Sequence, residues 1–248
     1  MAADSRITRH PDPSDPMKLS YQDDVKKIYE FRGLNVGLSY WGKAGFQDRT
    51  ILQLLEEFER QSSRKSDDVD ALAFKLTQYF QTISPKIAIG DRMGFHIAGY
   101  VENAPKLRHV FHESWHNAGE FTNEDCHVEY HIYPGNKVSY KERKDYPVLF
   151  NGDNLIANIL FNYARTLAPY YSIVPHELKL DECVELAKLI ISASIHRLNY
   201  YFDQSMERSG IPKTVGGPIC IATITKETGL TLARYDPRPL QPLSGPQI

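Results

Sequence analysis

Cysteine is scarce in this chain: Cys126, Cys183 and Cys220 are the three in 248 residues. They are an odd number and widely spaced, which excludes a disulfide framework or a metal knuckle and fits a reducing compartment such as the cytoplasm. Charge of one sign is also lacking. The 29 basic and 31 acidic residues leave a formal charge of −2, so no global basic field draws in nucleic acid or anionic lipid. No apolar run approaches 18 residues, and no membrane-spanning helix is expected. The opening Met1-Ala2-Ala3-Asp4-Ser5-Arg6 has no apolar stretch, so no signal peptide is expected. Internal repeats and interdomain linkers are absent as well.

What is present is the composition of a globular protein, 42% hydrophobic and 24% charged. At roughly 100–200 residues per domain the length allows one large domain or two small ones, with a sizeable core. Fifteen tyrosines, eleven phenylalanines and nine histidines stand out, and several of the histidines fall between His96 and His131.

Residues 7–25 are polar, carry Pro11, Pro13 and Pro16, and read as a loop. Lys27 to Phe31 and Leu34 to Trp41 read as strands around a turn at Gly33, the second with Val36, Leu38 and Tyr40 on one side. Asp48 to Arg60 is a helix with Asp48 as N-cap and Ile51, Leu54, Leu55 and Phe58 at helical spacing. Asp68 to Thr82 is a second helix, with Leu72, Leu76, Tyr79 and Phe80 on one face and Pro85 ending it. From Ile87 to Tyr133 the period drops to two, as in Phe95, Ile97 and Gly99 against His96, Ala98 and Tyr100, which predicts a sheet meander. Asp153 to Leu167 reads as a helix with Ile156, Ile159, Leu160 and Tyr163 on one face. Asp181 to Asp203 reads as another, apolar round much of its circumference and so buried on more than one side. Gly216 to Thr225 is β-rich, Thr228-Gly229 is a hairpin turn, and Leu230 to Ala233 is its returning strand. One domain over residues 1–235 is expected, followed by a proline-rich tail over 236–248.

Two motifs carry chemistry. His112-Glu113-Ser114-Trp115-His116 matches H-E-x-x-H, which on a helix sets two imidazoles one turn apart, with the glutamate as base for a zinc-bound water. The longer form of that motif wants a third histidine where Thr122 stands. If Leu107 to His116 is instead a strand, His112 and His116 lie about 13 Å apart at ~3.3 Å per residue and cannot share a metal. Zinc metallopeptidase is therefore one alternative, and histidines on a half-buried strand are the other.

The second motif is a series of short segments. Ala2-Ala3-Asp4-Ser5-Arg6-Ile7-Thr8 is followed by Lys26-Lys27-Ile28, by Val36 to Gly42, by Phe95 to Tyr100, by Asp181 to Ala187 and by Val215-Gly216-Gly217-Pro218-Ile219. In this order, over residues 2–233, they resemble the proteasome β-type subunits and the related bacterial ATP-dependent protease. The resemblance implies the Ntn-hydrolase fold: α+β, a four-layer αββα sandwich of two antiparallel sheets flanked by helix pairs. It implies amide-bond hydrolysis without a cofactor by a threonine whose own α-amine is the base. By position Lys27 matches the lysine that favours the alkoxide, Asp4 the aspartate that holds it, and Gly42 the oxyanion-stabilising N–H. It also implies peptide or protein substrates, like subunits in a closed ring, and an ATP-driven unfoldase as partner.

Two features depart from the family. The segment opens at Met1 and Ala2, where the family carries a strand that begins with the nucleophile, so the fold is expected to lack its first strand. The family's glycine-rich serine segment has no counterpart in Phe150 to Tyr170; Asp203 and Ser205 are candidates for its supporting aspartate and serine. A non-catalytic assembly subunit of the same fold is the further alternative.

Overall fold

The computed structural model describes residues 1–9, 20–46, 48–63, 66–83, 92–113, 122–125, 129–131, 137–139, 155–163, 178–201 and 215–237. The chain is α+β, and among the described residues every strand pairing is antiparallel. The strands are β1 (Ala2–Asp4), β2 (Ile7–Arg9), β3 (Ser20–Gln22), β4 (Ile28–Glu30), β5 (Gly37–Gly42), β6 (Gly45–Phe46), β7 (Arg49–Thr50), β8 (Arg92–Val101), β9 (Ala104–Glu113), β10 (Thr122–Asp125), β11 (Glu129–His131), β12 (Lys137–Ser139), β13 (Ile219–Thr225) and β14 (Gly229–Tyr235). The helices are α1 (Ile51–Ser62), α2 (Val69–Ile83), α3 (Leu155–Asn158), which runs into a π-turn at Ile159–Tyr163, and α4 (Leu180–Tyr201).

Two sheets carry the architecture. The larger has the order β10-β9-β8-β5-β4 and the smaller β1-β13-β14. Strand alternation sorts the larger sheet's residues as the sequence predicts. Val36, Leu38 and Tyr40 share one face with Met93, Phe95 and Ile97, and all six are buried. Helices α1 and α2 cover that face. Ile51, Leu54, Leu55 and Phe58 of α1 and Leu72, Leu76 and Phe80 of α2 have no exposed surface, and the Phe80 ring sits 4.5 Å from that of Phe95. Burying each of these side chains is worth roughly 1.5–3 kcal/mol, so this is the densest block of stabilisation in the described chain.

Helix α1 starts later than the sequence suggests. Thr50 is its N-cap and forms a capping box with Gln53, each side chain bonding the other's backbone N–H. Asp48, the expected cap, instead has φ +65° in the turn before it. In α2, Asp68 accepts from the Ala71 N–H at 2.9 Å, as an N-cap does. Asp70 on the same helix pairs with Arg108 at 2.5 Å and with Lys106 at 3.4 Å, tying α2 to β9.

The smaller sheet has its own apolar cluster. Ile195 and Leu198 of α4 pack with Val215, Ile219 and Ile221, and Ala2 of β1 joins them. The sequence reads α4 as buried on more than one side, but Leu180 and Leu189 are more than half exposed. The helix expected over Asp153 to Leu167 is four α-residues followed by the π-turn among the described residues. Ala157 is buried there, whereas Ile159 of the predicted stripe is exposed.

The two sheets approach each other at Gly37. A Cβ there would stand 2.5 Å from Leu230 Cδ1, 3.3 Å from Met1 Sδ and 3.4 Å from Ile224 Cδ1, so a larger residue would require the Leu230 side chain to move. The residues expected to form a loop before Lys27 include the two-stranded pair β2–β3. Of the tail, residues 238–248 lie outside the described residues.

Candidate functional site

The stretch offered as a zinc motif is strand, not helix, through Glu113: β9 runs Ala104–Glu113 in register with β8. His112 stands opposite Met93 and is fully buried. His116 lies outside the described residues. His109 faces His96 across the two strands, with ring centroids 5.1 Å apart, and stacks on Phe111 at 4.4 Å. These histidines alternate between the two faces of a sheet. Among the described residues no group of three or more His, Cys, Asp or Glu side chains is placed to hold a metal ion. Desolvation lowers the His96 pKa to about 3, so the ring is neutral at ordinary pH.

Four of the segments that resemble the hydrolase family, residues 2–8, 26–28, 36–42 and 215–219, meet at one place. Lys27 precedes β4, and its carbonyl accepts from the Tyr40 N–H of β5 at 3.1 Å, which seats it beside the larger sheet. Asp4 ends β1 in the smaller sheet. The Lys27 Nζ reaches Asp4 Oδ1 at 3.0 Å, and both side chains are 14% exposed. The other carboxylate oxygen, Oδ2, accepts two backbone N–H groups, from Arg6 at 3.0 Å and from Gly216 at 3.1 Å. Three donors therefore fix the carboxylate, and Asp4 presents one oxygen to the lysine and the other to the chain. Burial, reinforced by the charge of Asp4, pushes the Tyr40 phenol up to about 12.

Gly42 closes β5, two residues beyond Tyr40, and so about 7 Å along the strand from the position facing Lys27 at ~3.3 Å per residue. It is exposed and has φ +82°, a conformation glycine adopts without steric cost. Asp4 and Lys27 are thus in contact, and Gly42 lies on the same strand system. Asp203 and Ser205 lie outside the described residues.

Sequence reasoning missed the support around the pair. Ser5, which is buried, donates its N–H to Gly216 O at 3.1 Å and its hydroxyl to Asp23 O at 3.0 Å, while Val25 N donates to Ser5 O at 3.0 Å. Arg6 engages Asp23 through two bonds of 2.6 Å, Nε to Oδ1 and Nη2 to Oδ2. That contact holds the Asp23 carboxyl below the usual carboxylate range and the Arg6 guanidinium above its own. The glycine pair 216–217 was the available signal. Gly217 has φ +70°, and a Cβ on it would stand 2.5 Å from Ser5 Oγ. Asp23, in a polar run, carried no signal.

A lysine held in a partly desolvated ion pair can lower the cost of forming an anion or a neutral amine beside it, and an exposed strand-end N–H can receive a developing oxyanion. No protein-family model matches the chain, and no curated protein resembles it closely enough to count as a relative. The class is therefore set by fold and site alone: an α+β protein in which two antiparallel sheets meet beside a part-buried Lys–Asp pair.

Proposed function

We propose that this chain is an Ntn-type amide hydrolase related to proteasome β-type subunits. In this reading the two sheets and their helices form a four-layer αββα sandwich, and Lys27, Asp4 and Gly42 serve an N-terminal threonine-type nucleophile. The Lys27–Asp4 contact at 3.0 Å is the observation that carries the proposal. Its members are 23 positions apart, Asp4 at the end of β1 in the smaller sheet and Lys27 just before β4 of the larger, and they are the residues matched by motif position.

The chemistry follows from the charges. The nucleophile's α-amine takes the hydroxyl proton, and the Lys27 ammonium stabilises the resulting alkoxide while Asp4 keeps the lysine aimed. The oxygen attacks the substrate carbonyl, and the Gly42 N–H takes the negative charge that develops there. The protonated amine then returns its proton to the leaving nitrogen, and water releases the acyl group by the reverse sequence. Strand β1 supports this arrangement in one more way. It is an edge of its sheet among the described residues, so a strand bearing the nucleophile has backbone groups to pair with. Substrates in this reading are peptides or unfolded proteins, processed by like subunits in a closed ring that an ATP-driven unfoldase feeds.

The test is hydrolysis of fluorogenic peptides, with sedimentation to report the ring, on the chain alone and on a form extended by one strand beginning with Thr ahead of Ala2. Activity that appears with the extension and disappears when its Thr becomes Ala supports the proposal. A ring-forming chain that stays inactive in both forms is the assembly subunit instead. A monomer inactive in both forms overturns the reading.

A further inference from the structure

Asp4 takes its orientation from groups that are themselves held from elsewhere. Its Oδ2 depends on the N–H of Gly216, and nothing within residues 215–217 fixes that N–H alone. The Gly216 carbonyl is bonded to Ser5 N, and the Val215 carbonyl accepts from Arg6 Nη1 at 3.4 Å. The Arg6 guanidinium occupies the space beside Gly216 that a Cβ would take. Arg6 in turn is only 12% exposed. It is gripped on one side by both oxygens of Asp23 and covered by the Tyr21 ring, whose centroid is 4.9 Å from Cζ. Asp23 begins the short segment that ends at Lys27.

We propose that Arg6 and Asp23 form a clamp that positions the Asp4–Lys27 pair by joining the three segments 4–6, 23–27 and 215–217. Both are positioning residues: neither is bonded to the Lys27 amine, and each acts through the backbone that carries one member of the pair. The fork geometry matters. Guanidinium and carboxylate meet through two parallel bonds, which fixes direction as well as distance, and a lysine at position 6 could supply charge but not that direction. The glycine at 216 is explained by the same contact, since any side chain there would displace the guanidinium from Asp23. The clamp's importance for catalysis rests on the amide-hydrolase reading above; its effect on Lys27 does not.

The experiment therefore reads Lys27 directly, in the 248-residue chain, by 13C,15N-lysine labelling and the Cε–Nζ correlation of Lys27, assigned with Lys27→Arg. The reference for a released lysine is Asp4→Asn. In Arg6→Gln and in Asp23→Asn the Lys27 signal is expected to move most of the way to its Asp4→Asn position. Exchange of its ammonium protons should accelerate by about tenfold to a hundredfold, the range for losing a charge-assisted hydrogen bond. Arg6→Lys should give an intermediate shift. Arg49→Gln, which breaks the 2.7 Å pair between Arg49 of β7 and Glu57 of α1, should leave the signal in place, and this separates positioning from general destabilisation. Circular dichroism verifies that each variant is folded. If Arg6→Gln does not fold, Asp23→Asn and Arg6→Lys carry the test, since Asp23 is 43% exposed and its replacement disturbs no core. An unmoved Lys27 signal in folded Asp23→Asn overturns the clamp. A Thr-extended form that stays inactive while Lys27 responds overturns the hydrolase reading and leaves the clamp standing.

Discussion

The Lys27–Asp4 pair should be worth more than a surface ion pair, and a double-mutant cycle measures by how much. Two unit charges 3.0 Å apart attract by about 5–6 kcal/mol at an effective dielectric of about 20. Both side chains are 14% exposed, so each has lost most of its water, and that desolvation offsets much of the attraction. Exposed pairs retain about 0.2–1 kcal/mol, while breaking one partner of a fully buried pair costs about 3–5 kcal/mol. This pair lies between, and a coupling of about 2 kcal/mol is expected. The single variants should differ. Asp4→Asn sets an amide N–H against an unpaired ammonium and should cost about 2–3 kcal/mol. Lys27→Met leaves Asp4 with its two backbone donors, from Arg6 and Gly216, and should cost about 1–2 kcal/mol. Urea unfolding of both singles and the double at pH 7 gives the coupling directly. A value below about 0.5 kcal/mol would refute the claim that the pair is a desolvated, directed contact.

Other expectations are simpler. Thr50→Ala removes the capping box of α1 and should cost about 1 kcal/mol in the same urea assay, with Thr50→Ser restoring most of it. Phe80→Ala empties the centre of the block between α2 and β8 and should cost about 3–5 kcal/mol, enough to unfold a marginal domain at modest temperature. His96 gives a pH dependence. Unfolded, it takes a proton near pH 6.5; folded, it resists until about pH 3, so the unfolded state binds more protons in between. Its contribution is full above pH 6.5 and is lost as the pH falls from there toward 3. His96→Gln should flatten the stability profile between pH 6.5 and 5, a window above the range where Asp23 protonates.

The parts of the fold that were legible in the sequence were those with one buried face. The alternation through Phe95 and Ile97 and the helical spacing of Leu54, Leu55 and Phe58 each report a single local period, and each is met. Boundaries were less legible, because a cap is decided by backbone conformation. Asp48 and Thr50 are both acceptable caps by residue type, and the φ of +65° at Asp48 selects Thr50. The π-turn after Asn158 left no trace, since a one-residue change of winding keeps the same composition. The same local ambiguity let Leu107 to Glu113 fit helix and strand alike until pairing with β8 decided it. In the site, Asp4 and Lys27 were reachable through motif order. The Arg6–Asp23 fork was not, because a contact between residues 17 positions apart in a polar, irregular segment imposes no periodicity on the chain.

The most direct test of the account is the rate of peptide hydrolysis by a form extended through a nucleophile-bearing strand, compared with the same form carrying Lys27→Met. The account predicts a loss of at least about a hundredfold in kcat with little change in KM, because the lysine stabilises charge that develops only in the reaction. Hydrolysis that proceeds equally fast without the Lys27 ammonium would contradict it.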